Sequence, residues 1–123
     1  MKEKMMIKND YIYNAKIINV VDGDTLDLEI DLGFYTFVRE RIRLSGIDTP
    51  ELTSPDKAKR EAAISAKKFT ETFLNKKVTL QSFKVDKYGR FLAELFLSND
   101  PISINQKLIL GAFAVPYSGG KRE

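Results

Sequence analysis

The run Leu26-Asp27-Leu28-Glu29-Ile30-Asp31 constrains this chain more than any other stretch. Apolar and acidic side chains alternate one by one, and successive residues of an extended strand point to opposite faces, so the run fits a half-buried strand and not a helix. Turn signals bracket it. Asp22-Gly23 favours a tight reversal before it, and Leu32-Gly33 ends the alternation after it. Upstream, Tyr11 to Val21 is rich in aromatic and β-branched residues and reads as a strand. Downstream, Phe34 to Leu44 reads as a third, with Ile42 and Leu44 pointing inward and Arg39, Arg41 and Arg43 lining the other face. Three strands joined by short turns predict a β-meander.

Ser45-Gly46 breaks this pattern, and Asp48-Thr49-Pro50 predicts a loop because the residue before a proline avoids the helical region. Ser54-Pro55-Asp56 then supplies a helix start, with Ser54 as N-cap and Pro55 in the first helical position. The predicted helix runs over roughly Pro55–Leu74, packs through Ala62, Ala66, Phe69 and Phe73, and stops at Asn75. Val78, Leu80 and Phe83 predict a fourth strand, Asp86 to Arg90 a turn, and Phe91 to Leu97 a fifth strand whose nearly continuous apolar run implies deep burial. Ile104, Leu108 and Gly111 fit a short second helix, after which Pro116 to Gly120 is expected to fray. The order predicts an α+β, mainly β fold: a five-stranded OB-fold barrel, partly open, with two packed helices. The expected division is an N-terminal arm over 1–10, one domain over 11–117 and a C-terminal tail over 118–123.

Bulk composition narrows the chemistry. A chain of 123 residues suits one domain, and 43% hydrophobic with 30% charged residues suits a folded, soluble one. No apolar run approaches the roughly 20 residues that a membrane helix needs, and Met1 to Asp10 lacks the apolar core of a signal peptide. The net charge of +3 favours a polyanionic partner only weakly. Cysteine is absent, which excludes disulfides and thiolate metal sites. Histidine is absent too, which removes the commonest general base and the commonest transition-metal ligand. Acid–base work then falls to Asp, Glu, Lys or Tyr, and a metal held by side chains would be a hard, oxygen-liking cation.

Asp24 and Asp48 are the candidate ligands for such a cation, joined by a loop carbonyl such as that of Thr49, with water completing the shell. Taken singly, Asp22, Asp24 and Asp48 serve equally well as turn residues. Glu51 is the natural base of a histidine-free site. Arg43 has the planar fork that grips a phosphate, yet Arg39, Arg41 and Arg43 alternate as a solvated strand face would, and the pattern does not choose among them. Lys87, Tyr88 and Arg90 bring cations and an aromatic ring into one turn, as a phosphate or a nucleobase would require and as a plain surface hairpin also does, and Tyr117 is similar.

Jointly, Val21-Asp22-Gly23-Asp24-Thr25, then Arg43 with Asp48-Thr49-Pro50-Glu51, then Asp86-Lys87-Tyr88-Gly89-Arg90 resembles the thermonuclease (staphylococcal nuclease-like) family, from about Ala15 to Ala114. The resemblance implies an OB-fold barrel carrying a Ca²⁺-dependent phosphodiesterase that hydrolyses DNA and RNA with broad specificity and leaves 3′-phosphate ends. It implies Asp24, Asp48 and the Thr49 carbonyl as calcium ligands, with Asp22 and Thr25 behind them. Arg43, Glu51 and Arg90 become the catalytic residues, and Lys87, Tyr88 and Tyr117 the substrate contacts. A monomer is expected, with no membrane and no protein partner inferred; members of that family are often secreted. The segment between Glu51 and the helix is shorter than in that family's best-known member, so lysine contacts from that loop do not carry over. The alternative is an OB-fold module that binds nucleic acid without cutting it, although such a binder has no need of Asp24, Arg43, Asp48, Glu51 and Arg90 together.

Overall fold

The Asp22–Thr25 turn sets the register of everything that follows. In the computed structural model, which describes residues 11–117, β1 (Ile12–Asp22) and β2 (Thr25–Asp31) form an antiparallel hairpin closed by the pair Asp22 and Thr25. The arm and tail expected at 1–10 and 118–123 lie outside the described residues. β2 pairs in turn with β3 (Phe37–Leu44), setting Thr25 opposite Arg43. After the two-residue β4 (Ile47–Asp48) and helix α1 (Lys57–Glu71), the hairpin of β5 (Lys77–Ser82) and β6 (Phe91–Leu97) completes the circuit. β5 pairs antiparallel with β1, and β6 pairs parallel with β3, so the barrel is closed in the order β1-β2-β3-β6-β5. Helix α2 (Ile104–Leu110) and the short β7 (Val115–Pro116) follow. The expected five-stranded α+β barrel with two helices is therefore present, closed and not partly open. No helix among the described residues is long and apolar enough to cross a membrane.

The core follows the alternation read from β2. Leu26, Leu28 and Ile30 are buried, and so are Ile17 and Val20 of β1, Ile42 and Leu44 of β3, Leu80 of β5 and Leu95 of β6. Helix α1 seals the barrel end nearest the Asp22–Thr25 turn. Thr70 Oγ1 donates to the Gly23 carbonyl at 2.7 Å, and a Cβ placed on Gly23 would stand only 2.8 Å from the Cβ of Ala66. Glycine is thus required at 23 by close approach. Helix α2 is pinned by buried Asn105, whose amide donates to the carbonyls of Ser45 and Ala93 and accepts from the Leu95 amide. Phe69 links the helical layer, edge-on to Phe73 and stacked at 4.6 Å on Phe113.

Several boundaries differ from the sequence expectation. The third strand starts at Phe37, because Phe34 and Tyr35 adopt φ of 56° and 57° and the Thr36 amide donates to Gly33, a tight turn that leaves both rings outside the sheet. Helix α1 is capped by Asp56, whose side chain accepts from the Ala58 amide, and not by Ser54; Pro55 therefore precedes the helix. Its buried face carries Ala63, Ala66 and Thr70, with Phe73 buried just past its end and Ala62 exposed; the face is set by which side meets the barrel, where Thr70 bonds the Gly23 carbonyl. Asn75 does end the turn after α1, in a left-handed conformation with φ of 68°. β6 is not buried along its length but alternates, with Ala93 and Leu95 inside and Leu92, Glu94 and Phe96 only partly covered on the other face, as one strand of a closed barrel must; Phe91, at its start, is exposed. Phe83 lies beyond the end of β5 and is exposed. Asp48 belongs to β4, and Pro116 pairs with Ile47 where fraying was expected.

Thr70→Val keeps the shape of α1 but strands the Gly23 carbonyl, and Asn105→Ala removes three hydrogen bonds to backbone groups of Ser45, Ala93 and Leu95, of which the Ala93 carbonyl still accepts from the Ser45 amide. Urea unfolding is expected to show a loss of about 1–3 kcal/mol for the first and a larger loss for the second. Equal stability of Thr70→Val and the wild type would mean that the turn does not depend on the helix.

Candidate active site

Three pairings bring distant residues to one end of the barrel. The β2–β3 register sets Arg43 across from Thr25 and next to Asp24. The parallel β3–β6 pairing sets Arg43 beside Leu92, two residues after Arg90. β4 and β7 pair Asp48 with Val115, and the Tyr117 amide donates to the Gly46 carbonyl at 2.9 Å. The result is a cleft of about 690 Å³ lined by Asp22, Asp24, Thr25, Arg43, Asp48, Thr49, Glu51, Tyr88, Arg90 and Tyr117 among others. Every predicted site residue except Lys87 lines it. Lys87 lines an adjoining hollow of about 410 Å³, which shares Arg43, Tyr88, Arg90 and Tyr117 with the cleft.

Arg43 is the centre of the arrangement. Its Nη2 donates to Asp24 Oδ2 at 3.2 Å and to Asp48 Oδ1 at 2.9 Å, and its Nη1 donates to the Leu44 carbonyl. Asp24, Arg43 and Asp48 are only 6%, 7% and 7% exposed, while Arg39 and Arg41 stand in solvent against Glu29 and Asp27. Burial thus selects the one arginine of three that the alternating pattern left open. The Thr49 amide also donates to Asp24 Oδ2, and Thr25 Oγ1 donates to Asp24 Oδ1. Asp22 supports from behind, accepting the Asp24 amide on its Oδ1. Burial, the hydrogen bond with Asp24 and repulsion from it push the Asp22 carboxyl up to about 6. Burial acts on Asp24 in the same direction, but the hydrogen bond with Asp22, the Arg43 charge and the Thr49 amide outweigh it and hold Asp24 below the ordinary value. Asp24 is accordingly the more acidic member of that pair.

Arg90 is held by a residue whose role the sequence did not single out. Asp86 accepts from the Tyr88 and Arg90 amides on Oδ1 and from Arg90 Nε on Oδ2, the last at 2.7 Å. These bonds, against a burial effect that would raise it, keep the Asp86 carboxyl below its ordinary value. A depressed value means that the link is intact at neutral pH and is lost only as acid protonates Asp86. The available signal was an Asp opening the turn before Gly89, which sits at φ of 77°. Each arginine is also backed by a tyrosine ring, Arg43 by Tyr117 at 5.3 Å and Arg90 by Tyr88 at 5.2 Å. Lys87 Nζ lies 5.4 Å from the same Tyr88 ring.

The donor set fits a hard divalent cation. Two carboxylates converge on one guanidinium, so a single positive charge is set against two buried negative ones, and the imbalance favours a second cation. Among the described residues no group of three or more Asp, Glu, His or Cys side chains gathers as a metal site. The protein would supply few ligands, and main-chain oxygen and water the rest, as hard cations accept.

Comparison with known proteins identifies the family. Over 96 residues the chain is 35% identical to a thermonuclease of Staphylococcus hyicus, covering 76% of this chain and 53% of that protein. It is 33% identical over 128 residues to an uncharacterised protein of Methanocaldococcus jannaschii, covering 85% and 59%, and 28% identical over 104 residues to an uncharacterised endonuclease of Escherichia coli, covering 85% and 61%. The chain thus spans between about half and three fifths of these relatives' lengths. The family model described as "Staphylococcal nuclease homologue" matches residues 41–122, from within β3 to beyond β7. Since that match covers more than half of the chain, including Arg43, Asp48, Glu51 and Arg90, the chain belongs to the family of staphylococcal nuclease homologues.

Proposed function

We propose that this chain is a Ca²⁺-dependent nuclease, a phosphodiesterase acting on DNA and RNA with broad specificity and leaving 3′-phosphate ends. The observation that carries the reading is the buried Arg43 joining Asp24 to Asp48 within one cleft that also holds Glu51 and Arg90. Family membership and the nuclease names of relatives support it.

Asp24, Asp48 and the Thr49 carbonyl would hold the calcium ion, which when bound offsets negative charge on the phosphate and orients water. The remaining work falls to the chain's own side chains. Glu51 lines the cleft and, with no histidine in the protein, is the group that takes a proton from the attacking water or positions it. Water attacks phosphorus as the bond to the 5′-oxygen breaks, and that oxygen takes a proton from solvent to leave as a hydroxyl while the phosphate stays on the 3′ side. Arg43 and Arg90 stabilise charge growing on the non-bridging oxygens. The two arginines differ in their freedom. Nη2 of Arg43 is committed to the two carboxylates, whereas Arg90 is fixed through Nε by Asp86, so that its terminal nitrogens make no other bond among the described residues. Tyr117 and Tyr88 back the guanidiniums and offer faces for a base, and Lys87 a charge for a flanking phosphate.

Purified protein is expected to degrade single-stranded DNA in millimolar Ca²⁺ and to stop on addition of chelator; undiminished cleavage in excess chelator would rule out the metal mechanism. A gel shift without cleavage under any divalent ion would favour a binding module. Arg43→Lys, Glu51→Ala and Arg90→Ala should each lower kcat by about 10²- to 10³-fold, the scale for loss of a group that stabilises the transition state. Arg39→Ala should cost little, and a comparable loss there would mean that burial picked the wrong arginine. Asp86→Asn should reduce kcat by about tenfold, with a deficit that disappears in the Arg90→Ala background. Additive losses in that double variant would separate Asp86 from Arg90.

A further inference from the structure

The cleft continues on the side away from Tyr117. Beyond Glu51 lies a hollow of about 430 Å³ that shares Asp48, Thr49, Pro50, Glu51 and Thr53 with the cleft. The hollow at Lys87 adjoins the opposite flank. Three connected hollows therefore form one trough, and the Asp24–Arg43–Asp48 group lies in its middle section.

The outer hollow has its own chemistry. Phe113 and Val115 contribute an apolar floor, Thr53 and Ser54 a polar wall, and Lys59 is the one cation among its lining residues. Val115 is 58% exposed although it pairs with Asp48. The neighbouring basic residues of α1 are engaged, Lys57 with Glu61 and Arg60 with the carbonyls of Ser54 and Pro55 at 2.9 Å each. The Lys59 ammonium group makes no hydrogen bond or ion pair among the described residues, and the residue lines the hollow beside the site. Its position is fixed relative to Glu51, because the Ser54 amide donates to the Glu51 carbonyl while Arg60 ties the same loop to the first turn of α1. An apolar surface beside an unpaired ammonium group is what one nucleotide requires: a face for the base and a charge for the phosphate.

We propose that this hollow is a nucleotide subsite in which Lys59 grips a phosphate on the side of the cleaved bond away from Tyr117, so that the trough takes a strand through its middle. The proposal rests on the nuclease reading above. It makes Lys59 a determinant of strand length: a strand occupying both flanks is held at Lys59 and at Lys87, and one ending at the cleft is held at only one of them.

The test uses the whole chain and single-stranded DNA oligonucleotides of increasing length. Binding is read by fluorescence anisotropy in chelator at several salt concentrations, and cleavage is read in Ca²⁺. Lys59→Ala is expected to weaken binding of the longer strands about three- to tenfold and to lower the salt slope by about one ion. It should also raise KM with little change in kcat and narrow the preference for long over short strands. Lys59→Arg should restore most of the affinity, and Lys57→Ala, on the same helix but away from the hollow, should behave as the wild type. If Lys59→Ala binds and cuts long strands as the wild type does, the subsite is overturned and the nuclease reading stands. If the wild type cuts nothing, that reading fails, and the anisotropy measurements still decide whether Lys59 holds a strand.

Discussion

The structure turns on one buried guanidinium. Arg43 lies between Asp24 and Asp48 with all three side chains nearly out of solvent, an arrangement that is tolerable only because each charge has a partner. Removing the arginine would leave two like charges facing each other, and breaking a buried pair in this way costs about 3–5 kcal/mol. The same contact therefore holds three chain segments together and keeps surplus negative charge at the bottom of the cleft. Stability and the proposed chemistry draw on the same atoms.

What surrounds Arg43 shows how a small barrel builds a site from its edges. Its backbone neighbours are Thr25 on one strand and Leu92 on the other, and its ring partner Tyr117 arrives through the β4–β7 pairing. The antiparallel contact is local in sequence, whereas the parallel one closes the barrel across nearly fifty residues. Arg90 can approach the cleft only once that closure has formed. Its reach is then limited by Asp86, which converts a hairpin tip into a fixed loop through three hydrogen bonds.

The expectations that failed share a cause. Each concerned where an element begins or which side of it is covered, and each was decided by a partner remote in sequence or by backbone conformation. Ala63 replaces Ala62 on the packed face of α1 because the helix docks by its Ala66 and Thr70 side on the distant Gly23 turn. β6 alternates instead of being wholly buried because closing the barrel leaves one of its faces outside. Tyr35 and Phe34 leave the strand because a tight turn holds them at positive φ. Asp86 was visible as a turn residue, but its bond to Arg90 depends on how that turn folds back. Lys59 could not be distinguished from Lys57 by pattern, since both lie in the first turn of one helix, and only the position of the neighbouring hollow separates them.

By itself the sequence determined the strand alternation, the reversal at Asp22-Gly23, the order of strands and helices, and a chemistry confined to carboxylates, cations and tyrosines by the absence of histidine and cysteine. Those properties are local or compositional, and periodicity and residue type carry them directly. Tertiary structure decided which arginine is buried, which carboxylates meet it, and that Arg90 and Tyr117 join them. Burial and long-range pairing are properties of the closed barrel, and no stretch of the chain read alone contains them.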